Sequence, residues 1–377
     1  MNNFVLFYIC FLNFFANETY TISKLKYIYY FIIVILCLIY FLKRIYVLQF
    51  EKKSFIWPFM IFIAITLVGT LSIFSNAEGQ ALISPYIRFI LMIPIILYIY
   101  ININTFILID KLIKYSFIIN MISIFQILKN KDDFGRIASV FSHPNFYAFY
   151  LIIIILVLNY FLKEKKINFF IGITYMLINI VLLMSAGSKT AFFAVIIIIF
   201  LEFIRKILKV NKFLKVPFIF ISILIVCFII FILKDKFYDL RIFNINYGLE
   251  ENQINSFAWR VLNWKSKFEC FDVNILSLLF GLGWGSEILF GFKGFAMHNE
   301  YLRIFFETGI LGSISIIIFI YFLYKNIVLI KDKELKNFFI NLIIVIIVGS
   351  LTENIFVAVE TTVLYLSLIF SLGCKKI

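Results

Sequence analysis

The sequence predicts an all-α, polytopic membrane protein with about twelve transmembrane helices, and three observations carry that prediction. First, 63% of its 377 residues are hydrophobic and 15% are charged, with a mean hydropathy of +1.02, whereas a soluble chain is only about half apolar. Second, the apolar residues form long continuous runs rather than alternating. Lipid offers no partner for backbone N–H and C=O, so such runs read as helices and not as barrel strands. Third, the basic residues cluster between the runs in a pattern that assigns them to one side of a membrane.

A span needs about 20 apolar residues. Taken in order, the candidate runs are 4–16, 26–42, 55–74, 82–100, 106–128, 144–162, 167–184, 189–204, 213–233, 301–324, 337–351 and 354–373. The first is short. It begins "MNNFVLFYIC", with neither a basic leader nor a small-residue cleavage site, so it reads as a span rather than a cleaved signal. The seventh and eighth runs are parted by the turn "SAGSK" and the last two by "TE". Basic clusters follow the second, sixth, eighth, tenth and twelfth runs: Lys43, Arg44, Lys52 and Lys53; Lys163, Lys165 and Lys166; Arg205, Lys206, Lys209, Lys212 and Lys215; Lys325, Lys331, Lys333 and Lys336; and Lys375 and Lys376. All fall on one side if both termini are cytoplasmic.

The chain is therefore expected to be a single transmembrane domain, 1–377, with 234–300 as a large extracytoplasmic loop between the ninth and tenth spans. In "INSFAWRVLNWKSKF", Ile254, Phe257, Ala258, Val261, Leu262 and Phe268 recur at helical spacing. Trp259 and Trp264 flank them, and Arg260, Lys265 and Lys267 lie on the polar side. That pattern reads as an amphipathic helix on the membrane surface.

Composition also narrows function. The net charge of +14 resides mostly between spans, where it sets orientation, so no nucleic-acid partner is expected. The five cysteines, Cys10, Cys37, Cys227, Cys270 and Cys374, include no CxxC pair and suggest neither a disulfide frame nor a metal site. No internal repeat of broken helices points to a secondary transporter.

A polar set stands out on the expected outer face. Arg88 enters the fourth span. Arg136, His143 and Asn145 precede the sixth, in "FGRIASVFSHPNFYAFYL". Lys189 opens the eighth, after Ser185, Gly187 and Ser188. Arg260 lies on the surface helix. His298 and Asn299 stand at the mouth of the tenth span, with Arg303 and Glu307 at i, i+4 spacing behind them. Each has a plainer reading: a snorkelling Arg, an N-cap at Ser142 or Asn145, a simple turn, a solvated charge, a local ion pair. Their joint placement argues for more. Both histidines of the chain sit beside or near an Asn on that face, and charges at a membrane edge are functional candidates. Several arginines and a histidine suit a di-anionic lipid head group such as pyrophosphate, whose oxygens match the guanidinium fork. His298 is the candidate base for a sugar hydroxyl. Without a D-x-D or a His/carboxylate cluster, no metal or other cofactor is expected.

The stretch "WRVLNW…FGLGWGS…HNEYLRIFFETGILG" resembles the signature of the O-antigen ligase/polymerase superfamily of bacterial membrane proteins. "GRIASVFSHPNFYAFYL" resembles its Arg…Asn-x-x-Ala stretch and "SAGSKTAFF" its Ser-Arg-rich span start, with Lys189 in place of the usual Arg. The resemblance implies a GT-C-like glycosyltransferase of the cytoplasmic membrane, acting outside and taking glycan from a polyprenyl-pyrophosphate carrier. Its catalytic residues would be Arg260 and His298. Arg88, Arg136, His143, Asn145, Lys189, Asn299, Arg303 and Glu307 would bind substrate. A polymerase passes the glycan to another lipid-linked repeat unit, as in O-antigen, capsule or exopolysaccharide assembly, and works beside a flippase and a chain-length regulator. A ligase passes it to lipid A-core or to protein. A lipid-linked oligosaccharide flippase is the alternative of another class. It would bury charge at mid-membrane, where Glu360 in "VAVETTVLY" is the main example.

Overall fold

A computed structural model describes residues 1–16, 22–44, 55–73, 83–129, 136–207, 256–271, 274–292, 295–356 and 358–374. The expected span 213–233 and most of the first half of the 234–300 loop, together with Cys227, lie outside the described residues. Within them the structure is helical, with no strands. The helices are α1 (Asn2–Cys10), α2 (Ile22–Arg44), α3 (Ile56–Ile73), α4 (Ile83–Asn102), α5 (Thr105–Lys129), α6 (Pro144–Lys163), α7 (Phe169–Ala186), α8 (Lys189–Ile207), α9 (Ser256–Glu269), α10 (Ile275–Phe280), α11 (Glu300–Val328), α12 (Lys333–Ser350) and α13 (Val359–Phe370).

Each expected apolar run within the described residues overlaps a helix. Among the described residues, four helices are long and apolar enough to cross a membrane: α6, α7, α11 and the Pro85–Asn102 part of α4. Long exposed apolar faces, including Phe125, Leu128, Phe170 and Ile199, fit lipid as the surrounding solvent.

Two ends of the expected pattern are corrected. The first run is not one continuous span: α1 stops at Cys10 and a tight turn follows over Leu12–Phe14. The last helix begins at Val359 and not at 354, and residues 351–356 lie outside the helices where "TE" alone was expected to part them. Hydropathy counts Ile355 and Phe356 as span, yet Glu353 and Asn354 bind other segments there and hold the backbone out of the helix.

α6 is the central post. It is buried nearly all round, from Tyr147 to Phe161, as a helix apolar on every side should be. It packs on α7 and α12, while α11 packs on α3 and α10, and α13 on α4. Asn145, in the first turn of α6, therefore sits at the middle of one end of the bundle.

α11 is broken at Gly309, where φ is +63°. The kink frees the carbonyls of Phe306 and Glu307, and the glycine passage takes them up. Leu282 N–H donates to Phe306 O at 2.9 Å and Gly283 N–H to Glu307 O at 3.0 Å, so the backbone groups released by the kink are satisfied. The approach demands glycine on both sides. A Cβ on Gly281, at φ +73°, would meet the Glu307 carbonyl carbon at 2.3 Å, and one on Gly309 would meet that of Leu279 at 2.5 Å.

Candidate functional site

Four separated segments meet at one carboxylate, Glu353, whose side chain is 6% exposed. From α6, Asn145 Nδ2 donates to Glu353 Oε1 at 2.6 Å. From α9, Arg260 Nη2 lies 3.7 Å from the same oxygen. From the approach to α11, His298 Nδ1 lies 3.5 Å from Glu353 Oε2. Arg136 joins through Asn145, whose Oδ1 accepts from its Nη2. Two guanidiniums and an imidazole thus surround one carboxylate, leaving the cluster with positive charge for an anion.

Local structure explains each position. The N-cap of α6 is His143, not Ser142 or Asn145 as expected. His143 Nδ1 accepts from Asn145 N–H at 3.2 Å, and Pro144 occupies the first helical position, where its missing N–H costs nothing. The cap leaves the Asn145 side chain for Arg136 and Glu353. Arg136 is pinned on its other edge, with Nε donating to Ala186 O at 2.8 Å at the end of α7. Gly187, left-handed at φ +63°, turns the chain there into α8. Lys189, the first residue of α8, is exposed. Its neighbour Thr190 meets Thr352, which places Lys189 at the rim of the Glu353 turn.

Asn299 caps α11, accepting from Leu302 N–H at 3.0 Å. Its Nδ2 also donates to Leu351 O at 3.1 Å. His298 itself has a left-handed backbone, φ +52°, which non-glycine residues rarely adopt. Trp264 Nε1 of α9 donates to Met297 O at 2.6 Å and Asn263 Nδ2 to Ala296 O at 2.9 Å. One helix therefore carries Arg260 and grips the backbone before His298.

A second, sealed network lies beneath. Arg303 is 1% exposed and pairs with Glu300 and Glu307, and its guanidinium stacks 4.4 Å from the Trp284 ring. Glu307 Oε1 accepts from Gly285 N–H at 2.9 Å. Glu287 accepts from Met297 N–H at 2.7 Å and from Asn354 Nδ2 at 2.8 Å on each oxygen. Burial raises the Glu287 carboxyl above the usual carboxylate range, against the opposing pull of Arg303. Lys267, expected on the polar side of the surface helix, is instead buried. Its ammonium binds the carbonyls of Glu287 and Phe290, and burial lowers its pKa. Val261 and Leu262 of the apolar stripe are exposed on the same helix.

Of the sequence candidates, Arg136, Asn145, Arg260 and His298 are thus brought together. His143 and Asn299 cap the helices that carry them, and Lys189 stands at the edge. Arg303 and Glu307, expected to bind substrate, are enclosed by protein and hold the glycine passage. Arg88 is exposed at the start of α4, where Tyr30 donates to its carbonyl, and the contacts around Glu353 described above do not involve it. Glu353, Asn354 and Glu287 were missed. Their signal was present in "GSLTENIF" and "WGSEIL", as charge within an apolar chain.

Residues 171–317 match the O-antigen ligase family, Wzy_C. The match supports the O-antigen ligase/polymerase superfamily, whose members are glycosyltransferase-like enzymes. The Wzy_C segment contains Lys189, Arg260, His298, Asn299, Arg303 and Glu307, whereas Arg136, Asn145 and Glu353 lie outside it. No curated protein matches the chain.

Proposed function

We propose that this protein is a polysaccharide polymerase of the cytoplasmic membrane. It moves a growing glycan from a polyprenyl-pyrophosphate carrier to a sugar hydroxyl of another lipid-linked repeat unit, on the extracytoplasmic face. The observation that carries the reading is the meeting of Arg136, Asn145, Arg260 and His298 at Glu353.

In this mechanism His298 takes the proton of the acceptor hydroxyl, and the freed oxygen attacks the anomeric carbon of the donor. The bond from that carbon to the carrier's phosphate oxygen breaks, and its electron pair leaves with the pyrophosphate. Arg260 and Arg136 neutralise the departing charge. Glu353 stabilises the imidazolium that forms and keeps its ring aimed, as a carboxylate beside a catalytic histidine does. At 3.7 Å the Arg260 contact is longer than a hydrogen bond, so the guanidinium fork keeps donors for phosphate oxygens. Lys189 and Arg88 are the further cations on the path of the carrier head group.

A ligase is the second reading, favoured by the description of the matched family. It uses the same chemistry on a different acceptor. Replacing Arg260 or His298 by Ala should abolish polymer while the protein still inserts, a loss of about a hundredfold or more for a base or a charge stabiliser. Normal long polymer in both variants contradicts the site. Deleting the gene separates the readings: a lost polymerase leaves single repeat units on the final acceptor, a lost ligase leaves full-length polymer on its carrier, and a lost flippase leaves repeat units facing the cytoplasm.

A further inference from the structure

We propose that Glu287 and Asn354 are positioning residues for His298, acting as a buried fork that holds the backbone N–H groups of the residues before and after it and so aims its ring at Glu353. The proposal rests on the reading of His298 as the acceptor base.

The backbone N–H groups of Met297 and Asn299, the residues before and after His298, are both held from one place. Met297 N–H donates to Glu287 Oε2 at 2.7 Å. Asn299 N–H donates to Asn354 Oδ1 at 2.9 Å. Asn354 is in turn held by Glu287, donating through Nδ2 to both carboxylate oxygens at 2.8 Å. His298 sits between these anchors at φ +52°, a conformation that an L-residue keeps only when its surroundings enforce it. Asn354 also follows Glu353 directly in the chain. One carboxyl group therefore sets the imidazole and the carboxylate it faces.

The fork is itself fixed. Glu287 is 2% exposed and Asn354 4%. The Glu287 carbonyl accepts from Lys267 of α9, the helix that also carries Arg260. Arg303, Glu300 and Glu307 of α11 are the other charged groups around the Glu287 carboxyl. Burial favours its neutral form, and the hydrogen bonds from Met297 and Asn354 favour the charged one. A polar group so enclosed is kept because each of its partners is satisfied. A residue serving stability alone gives no reason for anchors that bracket the one histidine of the site.

The test uses the full chain reconstituted in liposomes with an undecaprenyl-diphosphate-linked oligosaccharide as donor and acceptor, and reads kcat and KM per inserted molecule. Glu287→Gln and Asn354→Ala should each lower kcat at least tenfold and leave KM within twofold. The limb of the pH profile that disappears in His298→Ala should move in both. Adding Glu287→Gln to His298→Ala should cost no further activity, because the fork acts only through the imidazole. The arginines leave His298→Ala a residual rate of single transfers, too slow to build polymer, against which this is read. A multiplicative loss in the double variant, or wild-type kcat in either single variant, overturns the proposal. Where Glu287→Gln does not insert, Asn354→Ser decides by the same criteria. An active His298→Ala removes the base assignment itself, whereas an impaired His298→Ala with a multiplicative Glu287→Gln loss removes the fork alone.

Discussion

Two polar clusters lie side by side at one end of the bundle, built from the same residue types, and they differ in how they are closed. Around Glu353 the cationic and imidazole contacts are loose and open: Arg260 stands off at 3.7 Å with 24% of its side chain exposed, and His298 at 3.5 Å with 35% exposed. Around Arg303 the contacts are tight and sealed, with Arg303 at 1% exposure and Glu307 at 0%. A guanidinium clamped between two buried carboxylates and itself closed off from solvent holds segments together and is not open to a ligand. A guanidinium held loosely beside an accessible histidine still has donors to offer. Geometry, more than residue type, separates scaffold from site here.

The sharpest break of this comparison is Arg303→Leu. It leaves Glu300 and Glu307 as buried charges without their partner, so stability should fall by about 3–5 kcal/mol, read as loss of folded protein in detergent. Retention of wild-type stability would erase the distinction between the clusters. Glu353→Gln acts on the open cluster instead. It keeps an acceptor for Asn145 but removes the charge facing His298, so transfer should drop by about tenfold to a hundredfold with the thermal midpoint nearly unchanged. A large fall in the midpoint would move Glu353 into the scaffold class. Asn299→Ala lies between the two: it removes the cap of α11 and should cost about 1 kcal/mol, measured by thermal unfolding. Lys265→Ala sets the floor. Its pair with Glu269 is solvent-exposed at 3.8 Å, and such pairs contribute at most about 1 kcal/mol, so neither folding nor transfer should change measurably.

The helices were legible because lipid burial writes itself as long apolar runs, and the candidate residues because charge in such a chain is conspicuous. Arg260 and His298 were found this way. Glu353 was missed for the opposite reason: an apolar scan reads "TE" as the minimal break between two spans and stops there. Its meaning depends on residues 55, 93 and 208 positions away, namely His298, Arg260 and Asn145, which local pattern does not connect. Lys267 was assigned to water by its place on an amphipathic wheel, but the Glu287 and Phe290 carbonyls that bury it come from another segment. The kink at Gly309 was hidden inside a continuous hydrophobic helix, and no local pattern ties it to its hydrogen-bonding partners, the backbone N–H groups of Leu282 and Gly283.

The central claim, that the open cluster is the diphosphate site, is tested most directly by the binding of undecaprenyl diphosphate to the reconstituted protein, compared between Arg260→Ala and Lys265→Ala on the same helix. Affinity should fall at least tenfold in Arg260→Ala and stay at the wild-type value in Lys265→Ala. Equal losses in both, or none in either, would contradict the account.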